Sequence, residues 1–117
     1  HIRLTELRDL MWGKIQTLKG VSVNGGLENR LPGNLNICFG ELDGEMLLLS
    51  LKDIAVSTGS ACTSASLEPS YVLKAIGLSA EQAHGSLRIS IGRFTSREEV
   101  EYAADQIIET VKKLQSL

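Results

Sequence analysis

The 117 residues carry 12 Lys plus Arg against 14 Asp plus Glu, a formal charge of −2, with 43% hydrophobic and 22% charged residues. Those proportions belong to one ordinary folded domain, and a small acidic excess argues against binding dominated by nucleic-acid phosphates. The longest apolar run, residues 46–49, falls far short of the ~20 residues a membrane helix needs. No charged-then-apolar leader opens the chain, and two cysteines, Cys38 and Cys62, are too few for a disulfide scaffold. The expected setting is reducing and cytoplasmic.

The chain opens on His1 rather than Met, and Leu4, Leu7, Met11, Ile15 and Leu18 already step by three or four, which predicts a helix over 2–19 with Gly20 as its stop. No Ser, Thr, Asp or Asn precedes that run as a cap, so a piece of a longer protein is expected. Residues 21–23 predict a short strand. The Gly-bearing polar stretch 24–33 predicts a loop. Residues 34–39 alternate, with Leu35, Ile37 and Phe39 on one face and Asn36 and Cys38 on the other. Asp43 caps a helix expected over 44–52, with Glu45 favourably placed in its first turn. Residues 54–56 read as a brief buried strand.

Residues 57–66 hold four Ser, two Thr, one Gly and no large side chain. Hydroxyls there compete with regular backbone pairing, so a mobile loop is expected. Pro69 suits the first turn of a helix holding Tyr71, Val72 and Ile76 and ending at Gly77. Ser79 and Gln82 have the spacing of a capping box for a further helical turn. Residues 86–91 alternate Leu87, Ile89 and Ile91 against Ser86, Arg88 and Ser90, a strand. Thr95 and Glu98 predict a second capping box, opening a final helix with an apolar stripe at Val100, Ala103, Ala104, Ile107, Ile108 and Val111. The order predicts an α+β domain, a small mixed four-stranded sheet covered by helices.

Cys62 is the residue most suited to chemistry. A thiol reacts as thiolate and needs access, and small neighbours leave it uncrowded. Cys38, mid-strand beside Ile37 and Phe39, reads as structural. The two cysteines lack metal-ligand spacing, so no metal site is expected, and no Gly-rich phosphate motif occurs. Arg88 stands opposite the apolar face of its strand, free either to be solvated or to fork onto a carboxylate. Arg93, at the strand end, is expected to pair with a neighbouring acid. His84 reads as a helix-end histidine, and Lys112 and Lys113 as a solvated helix end.

The stretch from Leu51 through Ser57-Thr58-Gly59-Ser60-Ala61-Cys62-Thr63-Ser64-Ala65-Ser66 to Ser70 resembles the active-site loop of the NifS/IscS-type cysteine desulfurases, in the class V aminotransferase family. Ser86-Leu87-Arg88-Ile89-Ser90-Ile91-Gly92-Arg93-Phe94-Thr95 is similar to the strand that follows it there, and Leu31-Pro32-Gly33-Asn34-Leu35-Asn36 also fits. The similarity runs over about residues 1–115. It implies that residues 1–117 are the C-terminal small domain of a fold-type I pyridoxal-phosphate enzyme, a homodimer whose large domain holds the cofactor lysine. Neither Lys52 nor Lys74 sits in that lysine's context. The resemblance implies that Cys62 is the nucleophile, taking sulfur from L-cysteine to give L-alanine and a Cys62 persulfide, and that Arg88 holds the substrate carboxylate. His84 matches a family position without an evident chemical role.

The resemblance further implies delivery of sulfur to an iron–sulfur scaffold protein or another acceptor, with Cys62 as a possible transient [2Fe–2S] ligand. The tail that helps IscS-type members grip the scaffold is not seen after Leu117. Two other readings compete: a standalone persulfide carrier or binding module, and a redox or metal module built on Cys38 and Cys62. By itself the chain is expected to be inactive and to lack pyridoxal phosphate.

Overall fold

A computed structural model describes residues 2–24, 33–40, 42–59, 76–80 and 85–116, with the backbone alone for 52–59. Its described elements run α1 (Ile2–Ile15), β1 (Ser22–Val23), β2 (Asn34–Cys38), α2 (Gly44–Gly59), β3 (Ile76–Ala80), β4 (Ser86–Ile91) and α3 (Arg97–Gln115). The strands form one sheet in the order β1-β2-β4-β3. The three helices share a core with one face of it. Leu7, Met11 and Ile15 of α1, Leu47 and Leu51 of α2, and Val100, Ala103, Ala104, Ile107 and Val111 of α3 are buried together with Leu35, Ile37, Ile76, Leu87, Ile89 and Ile91 from the strands. Burying each large aliphatic side chain contributes about 1.5–3 kcal/mol, which makes this layer the source of the fold's stability.

The expected α+β domain, a four-stranded sheet covered by helices, is present, but every pairing is antiparallel rather than mixed. The cause lies in the third strand. Residues 54–56 continue α2 instead of forming a strand. No Gly or Pro interrupts the sequence between Gly44 and Gly59, Leu47 and Leu51 are buried one turn apart, and the β-branched pair Ile54 and Val56 imitates strand composition without supplying a partner. The strand lies instead at Ile76–Ala80, where a helix end and a capping turn were expected. Ile76, Leu78 and Ala80 alternate with Gly77 and Ser79, and the short connection to β4 permits only antiparallel pairing. The expected helix from Pro69 otherwise falls on residues outside those described.

Both later helices are capped by side chains. Asp43 Oδ1 accepts from the Glu45 amide at 2.9 Å, as expected, although α2 runs on to Gly59. At α3 the capping box is Ser96 with Glu99, one residue later than expected: Ser96 Oγ accepts from the Glu99 amide at 3.1 Å and Glu99 Oε1 accepts from the Ser96 amide at 2.7 Å. Thr95 is unavailable because its Oγ1 accepts from the Gly92 amide at 3.0 Å and closes the preceding turn. The first helix ends at Ile15, earlier than expected, and turns lead from it to Gly20.

Two glycines set how closely the layers approach. A Cβ on Gly44 would lie 2.4 Å from the Ser86 carbonyl oxygen, so α2 starts hard against the start of β4. Gly85 has φ +74° and would place a Cβ 2.7 Å from the carbonyl oxygens of both Gly40 and Leu42, a conformation and a space that suit only glycine. Its own carbonyl accepts from the Phe39 amide at 2.8 Å, tying the end of β2 to the start of β4. Among the described residues no helix is long and apolar enough to cross a membrane.

Candidate active-site face

With one face of the sheet filled by the helices, strand alternation sends the other set of side chains to the opposite side. That set is polar: Asn34, Asn36 and Cys38 from β2, Ser86, Arg88 and Ser90 from β4, and Gly77 and Ser79 from β3. The antiparallel register lines them into rows. Asn36 stands opposite Arg88, and Arg88 opposite Ser79. Asn34, Ser90 and Gly77 form the next row, and Ser22, Cys38 and Ser86 the row on the other side.

Arg88 is therefore on a central strand, between a carboxamide and a hydroxyl, and it is exposed. Its backbone is fixed on both sides by the pairing of β4 with β2 and with β3, while Leu87 and Ile89 on either side of it are fully buried. A rigid strand thus presents a planar cation that matches a carboxylate at two points. Gly77, two residues along β3 from Ser79, leaves the neighbouring row without a side chain that would crowd it.

Hydrogen bonds brace the Asn36 side of this row. The Asn24 amide N–H donates to the Asn36 carbonyl at 2.9 Å. Asn24 Nδ2 donates to Asn36 Oδ1 at 3.1 Å and to Ser86 Oγ at 3.0 Å, joining the end of β1 to the middle of β2 and the start of β4. Ser86 is almost completely buried beneath this link. Sequence reasoning put Asn36 on the right side of β2 but gave it no role. What it lacked was the register, which makes Asn36 a cross-strand neighbour of Arg88.

The remaining sequence-derived residues divide clearly. Cys38 is half-buried in β2 and forms no disulfide. Cys62, His1, His84 and Lys74 lie outside the described residues, as do residues 60–66 of the mobile loop expected over 57–66; residues 57–59 of that stretch belong to α2. Lys52 lies in α2. Arg93 does not take an acidic partner among the described residues: its guanidinium lies over the Phe94 ring, 5.3 Å from the centroid, in a turn held by Arg3, which donates to the carbonyls of Arg93 and Thr95. Lys112 and Lys113 are exposed at the end of α3, as expected. Among the described residues no cluster of three His, Cys, Asp or Glu side chains has a metal-binding arrangement.

Comparison with known proteins gives the family of the chain. Residues 1–103 match the aminotransferase class-V family. The chain is 52% identical over 115 residues to the "Cysteine desulfurase IscS" of Aeromonas hydrophila, covering 98% of this chain and 28% of that protein. It is 53% identical over 117 residues to the protein of the same name from Tolumonas auensis, covering 100% of this chain and 29% of that one. Among solved structures, a NifS-like protein from Rickettsia africae shares the fold with a TM-score of 0.63 at 19% identity, over 95% of this chain and 29% of that chain. A second, described as a NifS-like protein, has a TM-score of 0.60 at 22% identity, over 97% and 28%. The chain thus spans under a third of the length of the curated relatives it matches. By the family match over most of its length, and by relatives at about half identity, the chain belongs to the aminotransferase class-V family.

Proposed function

We propose that this chain is the C-terminal, sulfur-carrying domain of a cysteine desulfurase, which converts L-cysteine to L-alanine and leaves a persulfide on Cys62. The observation that carries the reading is Arg88, an exposed guanidinium on the central row of an otherwise polar sheet face, in a chain half identical to proteins named for that reaction. Arg88 binds the carboxylate of the substrate and fixes its orientation, which removes most of the freedom a bimolecular encounter would have to lose.

The chemistry assigned to Cys62 balances. Its thiolate attacks the sulfur of L-cysteine, a sulfur–sulfur bond forms as the carbon–sulfur bond breaks, and the carbon takes the electron pair and a proton. Sulfur is oxidised, carbon is reduced to the methyl group of alanine, and no outside oxidant is required. Pyridoxal phosphate supplies the electron sink for such bond cleavage when bound. The described lysine side chains, Lys14, Lys19, Lys112 and Lys113, belong to α1, the turn after it and α3, not to the Arg88 face, so none of them fits as the anchor of that cofactor. Its lysine is assigned to the remainder of a longer, homodimeric, cytoplasmic enzyme. The persulfide then passes to an iron–sulfur scaffold protein or another acceptor thiol, with Cys62 available as a transient [2Fe–2S] ligand.

The test uses the full-length protein loaded with pyridoxal phosphate. Cys62→Ser is expected to abolish both alanine release and the persulfide detectable by mass spectrometry, whereas Cys38→Ser retains both. Alanine release by Cys62→Ser at the unmodified rate would overturn the assignment.

A further inference from the structure

We infer that Asn36 is a second donor to the substrate carboxylate, acting beside Arg88 to select amino acids over amines that lack the carboxylate; the inference rests on the desulfurase reading above. Asn36 is directly opposite Arg88 across the β2–β4 pair and on the same polar face. Opposed side chains in such a pair have Cβ atoms about 4.5–5.5 Å apart, so both side chains rise from neighbouring points of one face and can share one anion.

The orientation of the carboxamide is set by its neighbour. Asn36 Oδ1 already accepts from Asn24 Nδ2 at 3.1 Å. Rotation that exchanged Oδ1 and Nδ2 would put two NH₂ groups face to face. The acceptor end is therefore turned toward Asn24, and the Nδ2 donor has no hydrogen-bond partner among the described residues. A half-buried amide donor held beside an arginine accommodates an anion, and a hydrogen bond to a charged acceptor is worth more than a neutral one. Asn24 does not touch the ligand in this scheme. It is a positioning residue that fixes Asn36 through one backbone and one side-chain bond.

The experiment measures binding of L-alanine and of ethylamine, which lacks the carboxylate, to the full-length, pyridoxal-phosphate-loaded protein by titration calorimetry. Asn36→Ala and Asn36→Ser are compared with Arg88→Ala and the unmodified protein. Asn36→Ser keeps a polar group at the position but is too short to reach the ligand, and it provides the measurement should Asn36→Ala fail to fold. Both Asn36 variants are expected to weaken L-alanine by about tenfold, corresponding to about 1.4 kcal/mol, and to leave ethylamine unchanged. Equal weakening of the two ligands, or no weakening of either, would overturn the role of Asn36. If Arg88→Ala still weakens L-alanine selectively, that failure is confined to Asn36. If Arg88→Ala also leaves L-alanine binding unchanged, the carboxylate site and the reading beneath it both fall.

Discussion

Replacing glycine by alanine should have opposite effects at two helical positions of this chain, and the difference comes from what each added methyl meets. At Gly13, inside α1, a Cβ finds nothing within 4 Å. Only the backbone entropy of glycine changes, so Gly13→Ala should stabilise by about 0.8–1 kcal/mol. At Gly44 the added carbon would sit 2.4 Å from the Ser86 carbonyl oxygen, 3.3 Å from its carbonyl carbon and 3.4 Å from its nitrogen. All three are backbone atoms of a paired strand and cannot rotate away. Restoring an ordinary contact requires α2 to back off from β4 by several tenths of an ångström, against the buried Leu47 and Leu51. Overpacking of this kind typically costs 1–3 kcal/mol. A helix-propensity gain, smaller at the first helical position than in a helix interior, leaves Gly44→Ala destabilising by about 1–2 kcal/mol. Urea denaturation of the 117-residue chain followed by circular dichroism reads both changes, and with a slope of about 1–3 kcal/mol per molar the two midpoints should move in opposite directions. A Gly44→Ala midpoint equal to or above that of the unmodified chain would refute the close approach of α2 to β4.

Three further changes test separate parts of the structure. Ser96→Ala removes the side-chain half of the α3 capping box and should cost about 1 kcal/mol, seen as a lower urea midpoint, while Thr95→Ser, which keeps the hydroxyl bonded to Gly92, should cost less. Ile89→Val deletes one methylene from a fully buried position between Leu35 and Leu78 and should cost about 0.5–1.5 kcal/mol by the same measurement. Lys14→Met breaks the 2.8 Å ion pair between a half-buried Lys14 and an exposed Asp105; stability should fall by no more than about 1 kcal/mol, and the loss should shrink in high salt.

The elements most readily read from the sequence were those whose local chemistry is complete within a few residues. Asp43 caps α2 as expected because its acceptor lies two residues from the amide it satisfies. β2 and β4 follow their alternation because each has one apolar and one polar set. The capping box of α3 was displaced by one residue because Thr95 and Ser96 are both good N-caps. The choice between them depends on Gly92, whose amide donates to the Thr95 hydroxyl. The strand at Ile76–Ala80 was hidden for a different reason. Its five residues include Gly77 and a serine with a plausible cap partner, and only pairing with β4 makes the alternation decisive. Arg88 could be recognised as off the apolar face, but the face itself could not be assembled before the register was known.

That register also explains why the candidate carboxylate site is built where it is. A guanidinium on a long side chain is costly to hold in one orientation unless its backbone and its neighbours are already fixed. In this fold the cost is reduced on both fronts. β4 is a central strand, so pairing to β2 and β3 immobilises the backbone at Arg88, and the buried Leu87 and Ile89 anchor the residues on either side. Across the strand, Asn24 secures Asn36 and Ser86 together, which holds a second donor at the same row without a further charge that would repel Arg88. α2 starts hard against the start of β4 through Gly44 and precedes in sequence the segment containing Cys62. One closely packed contact therefore links the strand that carries Arg88 to the start of α2.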